Sequence, residues 1–201
     1  MIISSTETLL LLLKFADLYI VEDETLWKNL ERKIFQRFQE FNVEQLLSCI
    51  IHFSNQNEGS DMFYDQFETV LLPKIDQLNI SQLVSVAQSF YQVKRGTDNL
   101  FKVLHEKIQN NIQDATEKDL VRLSIIYSAL NMEKYLVYQT LEELILKKLP
   151  NFTLGELCVI AEAFGFDYGS QKFFETLEKR VVEMISEVEL QELILILRGF
   201  C

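Results

Sequence analysis

Apolar residues in this chain return on a ladder far longer than one helical turn. Leu9, Leu46, Leu83, Leu120, Leu157 and Leu193 follow one another at intervals of 37, 37, 37, 37 and 36 residues. Seven residues after five of these leucines stands an aromatic: Phe53, Phe90, Tyr127, Phe164 and Phe200. The first copy has Ala16 at that place, with Phe15 beside it. A second aromatic column, Trp27, Tyr64, Phe101, Tyr138 and Phe174, keeps the same spacing. Behind it run Leu30, Phe67, Leu104, Leu141 and Leu177, then Ile34, Leu71, Ile108, Ile145 and Val181, then Phe38, Ile75, Ile112, Leu149 and Ile185. Offsets of 0, 4 and 7 in the first half of each unit, and of 0, 3, 7 and 11 in the second, each trace one face of an α-helix. A long period with helical fine structure predicts a repeat of two-helix units.

Polar residues punctuate the ladder where the helices should begin. Four residues before each leading leucine stand Ser5, Asn42, Asn79, Thr116, Thr153 and Glu189, and all but the last are good N-caps. Gln45, Gln82, Asp119, Glu156 and Glu192 follow three residues later, which suits a capping box. In the middle of the unit Gly59, Gly96 and Gly169 share one column, and Ser60, Thr97 and Ser170 the next. That pair predicts a glycine closing the first helix and a hydroxyl opening the second. The fourth copy has Glu133 and Lys134 instead, so a tighter or differently built turn is expected there. The residue missing from the fifth copy falls between Phe164 and Phe174, where a loop is expected to absorb it. The units are therefore 5–41, 42–78, 79–115, 116–152 and 153–188, with a half unit at 189–201. One hairpin cannot bury both of its apolar faces, so neighbours must stack. The expected fold is all-α: a single helical-repeat domain over residues 1–201, forming a right-handed α-solenoid of about five and a half hairpins.

Composition narrows the chemistry. Of 201 residues 48% are hydrophobic and 24% charged, enough apolar content for a true core. No run reaches about 18 apolar residues, so no membrane span is expected. Met1–Leu13 carries Glu7 and no lysine or arginine, unlike a cleavable targeting segment. Cys49, Cys158 and Cys201 are too few and scattered for a disulfide framework or a zinc site, and the first two read as small core residues. His52 and His105 occupy unrelated positions of different helices. Glu22-Asp23-Glu24 and Glu142-Glu143 read as helix-start or solvated charges. The chain has no P-loop, GxGxxG, GxSxG or HExxH motif. The expectation is a non-enzyme with no catalytic residue, cofactor or metal.

A degenerate 37-residue helical hairpin with a leading leucine, an aromatic seven residues on and a second aromatic opening the second helix resembles the heptatricopeptide repeat family. Asn79-Ile80-Ser81-Gln82-Leu83 through Phe90, and Thr153-Leu154-Gly155-Glu156-Leu157 through Phe164, carry the likeness. It is similar too to octotricopeptide repeats and the helical regions of FAST-kinase-like organellar proteins, and it extends from Ser5 to Cys201. The resemblance implies a mitochondrial or plastid location and a role in organellar RNA metabolism or ribosome assembly.

Charge pulls against the RNA part of that implication. The chain carries a formal −11, and the five units hold −2, −5, +1, 0 and −4, with −1 in the final half unit. Nucleic-acid affinity rests on lysine and arginine neutralising phosphates. Cationic clusters that could meet a phosphate are Lys94, Arg95, Lys102 and Lys107, and Lys147 with Lys148. Residues two, five and nine after each leading leucine are expected to line the concave side: Ser48, Ile51, Asn55; Ser85, Gln88, Gln92; Arg122, Ile125, Ala129; Val159, Glu162, Phe166. Ile125, Val159 and Phe166 suit a polypeptide better than a base. Both ends are apolar over more than one helical face, through Leu10 and Leu13 at the front and Leu193, Leu195, Leu197 and Phe200 at the back. These nine side chains are the expected partner-binding residues. The expected partners are other protein subunits of a large complex, respiratory, ATP synthase or mitoribosomal, with an organellar RNA-binding factor as the alternative.

Overall fold

The computed structural model of the chain describes residues 5–130 and 135–184. Among them are ten α-helices and no strand: α1 (Thr6–Leu18), α2 (Glu24–Gln36), α3 (Val43–Asn55), α4 (Asp61–Leu71), α5 (Ile80–Gln92), α6 (Asp98–Asn111), α7 (Glu117–Ala129), α8 (Tyr135–Lys148), α9 (Leu154–Tyr168) and α10 (Gln171–Met184). The all-helical expectation is met. The helices gather into two compact units, Met1–Asn110 and Asn111–Cys201. In the first, α1 packs on α3 and α3 on α5; in the second, α7 packs on α9 and α8 on α10.

Each odd helix begins where the sequence places its cap. Ser5, Asn42, Asn79, Thr116 and Thr153 each accept a hydrogen bond from a backbone N–H of the first turn. The last four form full capping boxes with Gln45, Gln82, Asp119 and Glu156. Two orphan donors are thereby satisfied reciprocally at each start. Ser60, Thr97 and Ser170 cap α4, α6 and α10 through the N–H groups of Phe63, Leu100 and Phe173.

The closing of the odd helices differs from expectation. The left-handed residue that ends α1, α3 and α5 is Ile20 (φ 48°), Asn57 (φ 55°) or Lys94 (φ 55°), one column and 37 residues apart. Around each, the next N–H bonds back five residues, Val21 to Ala16, Glu58 to Phe53 and Arg95 to Phe90, at 2.9, 2.9 and 3.0 Å. This is the Schellman arrangement. The glycines stand two residues later, at Gly59 (φ 99°) and Gly96 (φ 98°), and serve the approach to the next cap. A Cβ on Gly59 would lie 2.9 Å from Phe63 and 3.0 Å from Tyr64, both buried rings. Gly59→Ala combines this clash with a backbone region closed to L-residues, so it is expected to cost about 2 kcal/mol. A denaturation midpoint unchanged from wild type would refute that. In the fifth copy α9 runs on to Tyr168 and is broken at Gly165 (φ 50°, ψ −177°), so a helix break stands where a loop was expected. The Glu133–Lys134 turn and the 189–201 half unit lie outside the described residues.

The sequence columns supply most of the core. Leu9, Leu46, Leu83, Leu120 and Leu157 are buried, as are Phe53, Phe90, Tyr127, Phe164, Trp27, Tyr64, Tyr138 and Phe174. The two aromatic columns interlock between neighbouring repeats: Trp27 meets Phe53 at 5.1 Å, Tyr64 meets Phe90 at 5.8 Å and Tyr138 meets Phe164 at 5.7 Å, all edge-on. The polar tips are housed the same way in two copies. Trp27 Nε1 donates to the carbonyl of Val21 and Tyr64 Oη to that of Glu58, each six residues back at 2.8 Å. The last column is not on the second helix proper: Phe38, Ile75, Ile112 and Leu149 ride on 3-10 turns that follow α2, α4, α6 and α8. Tightening the chain there buries Phe38, Ile75 and Ile112, while Leu149 stays half-buried.

Candidate functional site

Stacking of the odd helices within each unit, α3 on α5 and α7 on α9, leaves rows of half-exposed side chains. Ser48 and Ile51 on α3, Ser85 and Gln88 on α5, Arg122 and Ile125 on α7 and Val159 on α9 are all half-buried, while Asn55, Gln92, Ala129 and Glu162 are exposed. Of the nine expected partner-binding residues, Ile125, Val159 and Leu10 are thus half-buried on their helices. Leu13 is fully buried, in the core with Leu9 and Ala16, and is no surface residue. Two of the five consecutive leucines, Leu9 and Leu13, turn into the core from a helix 13 residues long. The side chain of Phe166 and residues Leu193, Leu195, Leu197 and Phe200 lie outside the described residues.

Three of the six cations that offered phosphate contacts lie beside acids. Arg95 Nε lies 2.5 Å from Asp61 Oδ1, and Lys107 Nζ pairs with Asp76. Lys148 Nζ donates to the Ala115 carbonyl at 2.7 Å and lies 3.8 Å from Glu117. The Asp76 carboxylate raises the Lys107 ammonium above its ordinary value.

One polar cluster binds the first repeat to the second. Asp17, near the end of α1, accepts hydrogen bonds from His52 Nδ1 at 2.5 Å, Asn55 Nδ2 at 2.9 Å and Gln56 Nε2 at 2.6 Å. His52 is therefore a partner of Asp17 and not part of a dyad with His105, which is buried on α6. Burial pushes the Asp17 carboxyl up, but the hydrogen bonds from His52, Gln56 and Asn55 outweigh it and hold it below its ordinary 3.8. A depressed folded value means the contribution is full above that ordinary value and fades as pH falls through the lowered one. Asp17→Asn is expected to flatten the acid limb of the stability profile and to cost about 1 kcal/mol near neutrality. Denaturant midpoints for both proteins from about pH 7 to 3 check this, and parallel profiles would refute it.

A second set of polar contacts, missed by sequence reasoning, repeats along the array. Glu31 of α2 accepts from Ser60 N at 3.1 Å and from its hydroxyl; Glu68 of α4 accepts from Thr97 N at 3.0 Å and from its hydroxyl. Glu142 of α8 does the same for Ser170, at 3.1 and 2.5 Å. Each carboxylate thus fastens the cap of the next repeat's second helix.

Two grooves flank the turns. One of about 620 Å³ is lined by Trp27, Glu31, Phe35, Glu58, Gly59 and Met62. The other, of about 460 Å³, holds Glu58, Tyr64, Val93, Lys94 and Arg95. Burial raises the Glu58 carboxyl above its ordinary value; the Glu24 and Glu31 carboxylates add to this and Lys28 opposes it. The Ser60 hydroxyl beside it is committed to Glu31 and to the α4 cap. Cys49 is buried, and desolvation pushes its thiol up to about 12, leaving it unreactive. Among the described residues no three His, Cys, Asp or Glu side chains converge as metal ligands, and no helix is long and apolar enough to cross a membrane.

Comparison of the chain with protein-family models and with curated proteins finds no match.

Proposed function

We propose that this chain is a non-catalytic scaffold, a right-handed α-solenoid that binds other polypeptides as an accessory or assembly subunit of a larger complex. The observation that supports the reading is the row of half-exposed side chains on the odd helices of each unit. It mixes half-exposed Ile51, Ile125 and Val159 with neutral polar groups, and Arg122 is its only cation among the residues named. Such a face offers apolar area and hydrogen bonds to a protein and almost nothing to a phosphate backbone. The pairing of Arg95, Lys107 and Lys148 with acids points the same way. The resemblance to organellar helical repeats supports a mitochondrial setting, with a respiratory, ATP synthase or mitoribosomal assembly as the complex.

Two measurements test this. Fluorescence polarisation of a mixed-sequence single-stranded RNA should show no binding tighter than about 100 µM at physiological salt. Tight binding with a steep salt slope would instead support the RNA-binding alternative. Affinity purification of the tagged chain from its own cells should recover a defined set of mitochondrial subunits, which Ile51→Glu with Val159→Glu depletes. Unchanged recovery by that double variant would remove these rows from the interface.

A further inference from the structure

The strongest unassigned feature is the outward face of α1. Leu11, Phe15, Leu18, Tyr19 and Ile20 are 69, 55, 70, 64 and 66% exposed. The helical members follow an i, i+4, i+7, i+8 spacing, so they form one stripe, with the Phe15 and Tyr19 rings 4.5 Å apart. Ile20 continues it from a left-handed backbone position that β-branched residues avoid.

The repeat register shows what such a face does. One unit on, the equivalents of Phe15, Leu18 and Tyr19 are His52, Asn55 and Gln56, and these side chains receive Asp17 of α1. Two units on, the equivalents of Phe15 and Tyr19 are Ser89 and Val93, both buried on α5, which packs on α3. The Phe15 and Tyr19 columns are thus the ones that meet the preceding odd helix in α3 and α5, while the Leu11 and Leu18 columns stay half-buried or exposed there at Ser48, Asn55, Ser85 and Gln92; on α1 both pairs of columns are exposed. In α3 this face is polar and made to fit a carboxylate; in α1 it is apolar, made to fit an apolar helix.

We propose that a second copy of this chain covers it, forming a two-fold dimer with α1 packed against α1. The helices found seated on this kind of face are the chain's own odd helices, and in a second copy the one with an open apolar face is again α1. The stripe exposes on the order of 600 Å² of apolar surface, the upper end of what a monomer carries. Two such faces bury roughly 1,200 Å², enough for a specific interface. A two-fold axis lets the same patch serve both partners and closes the assembly at two. The stripe itself holds no carboxylate, so it is where two chains of charge −11 meet with least repulsion.

Sedimentation velocity on the full chain, from about 1 to 100 µM, tests the proposal. The expected result is twice the monomer mass, with association strengthened by salt, which screens the like charges. Phe15→Glu and Leu18→Glu, both at solvent-facing positions, should weaken association by about 30-fold or more. Their far-ultraviolet dichroism should match wild type. A monomer throughout the range, an open-ended series of larger species, or variants that dimerise as wild type does would each overturn it. A monomer that still recovers mitochondrial subunits would overturn the dimer alone and leave the scaffold reading standing.

Discussion

Phe63→Ala is expected to cost about 3–5 kcal/mol, the largest single-residue loss in the first compact unit. Phe63 is fully buried at the first turn of α4, where four rings enclose it. Phe53 lies 4.3 Å away, Phe67 4.7 Å, Tyr64 5.5 Å and Phe35 5.8 Å, centroid to centroid. Phe53 and Phe35 come from α3 and α2, so one ring joins three helices of two repeats. The site has little room to collapse after truncation, because a Cβ on Gly59 would already meet the ring and the surrounding aromatics are held by further rings, Phe53 by Trp27, Tyr64 by Phe90, and Phe35 and Phe67 by Phe38. Against a total stability of about 5–15 kcal/mol, the loss is a large fraction. Phe63 and the four rings around it all lie in the first compact unit, so the damage should stay there. Amides of α3 and α4 should exchange faster while those of the second compact unit hold their rates. Leu100→Ala, the same register position in the next repeat, removes less volume and should cost less, about 2–4 kcal/mol. Urea denaturation followed by helical dichroism measures both, and a Phe63→Ala loss below about 1 kcal/mol would mean the aromatic cluster does not organise the fold.

Short-range chemistry was easy to read in the sequence, and contacts between repeats were not. A cap needs only a side-chain acceptor and an N–H two or three residues away, so Asn42 with Gln45 and Thr153 with Glu156 announce themselves locally. The core columns are equally plain because helical geometry fixes which offsets share a face. The closing of the odd helices misled because glycine is the usual sign of a left-handed residue, whereas here Ile20, Asn57 and Lys94 take that role. Leu13 misled in another way: within five consecutive leucines, only the relation to the neighbouring helix says which of them turn outward. The acidic column Glu31, Glu68 and Glu142 reads as a solvated helix face until stacking brings it to Ser60, Thr97 and Ser170, 29, 29 and 28 residues away. A signal for it was present. At the junction of the third and fourth copies His105 replaces the glutamate and Lys134 the hydroxyl, so both halves of the pair depart together.

That pairing supplies the second large effect. Glu68→Ala is expected to cost about 2–3 kcal/mol and Thr97→Ala about 1–2 kcal/mol, with a double mutant well short of their sum. Glu68 is 7% exposed, and its carboxylate accepts from both the backbone N–H and the hydroxyl of Thr97. The same hydroxyl oxygen accepts from Leu100 N at 3.2 Å, so one carboxylate orders a whole helix start. Without it the Thr97 N–H, which has no partner within α6, loses its acceptor at a half-buried site. A coupling of about 1–2 kcal/mol between the two positions would mark a fastener between successive repeats, since Glu68 sits in α4 and Thr97 opens α6. Glu31 and Ser60 make the same contacts closer to solvent, so their coupling should be smaller, by about half. Strict additivity at 68 and 97 would instead assign each residue its own local role. Stacking would then rest on the aromatic ladder alone, and the acidic column would be free to serve the surface.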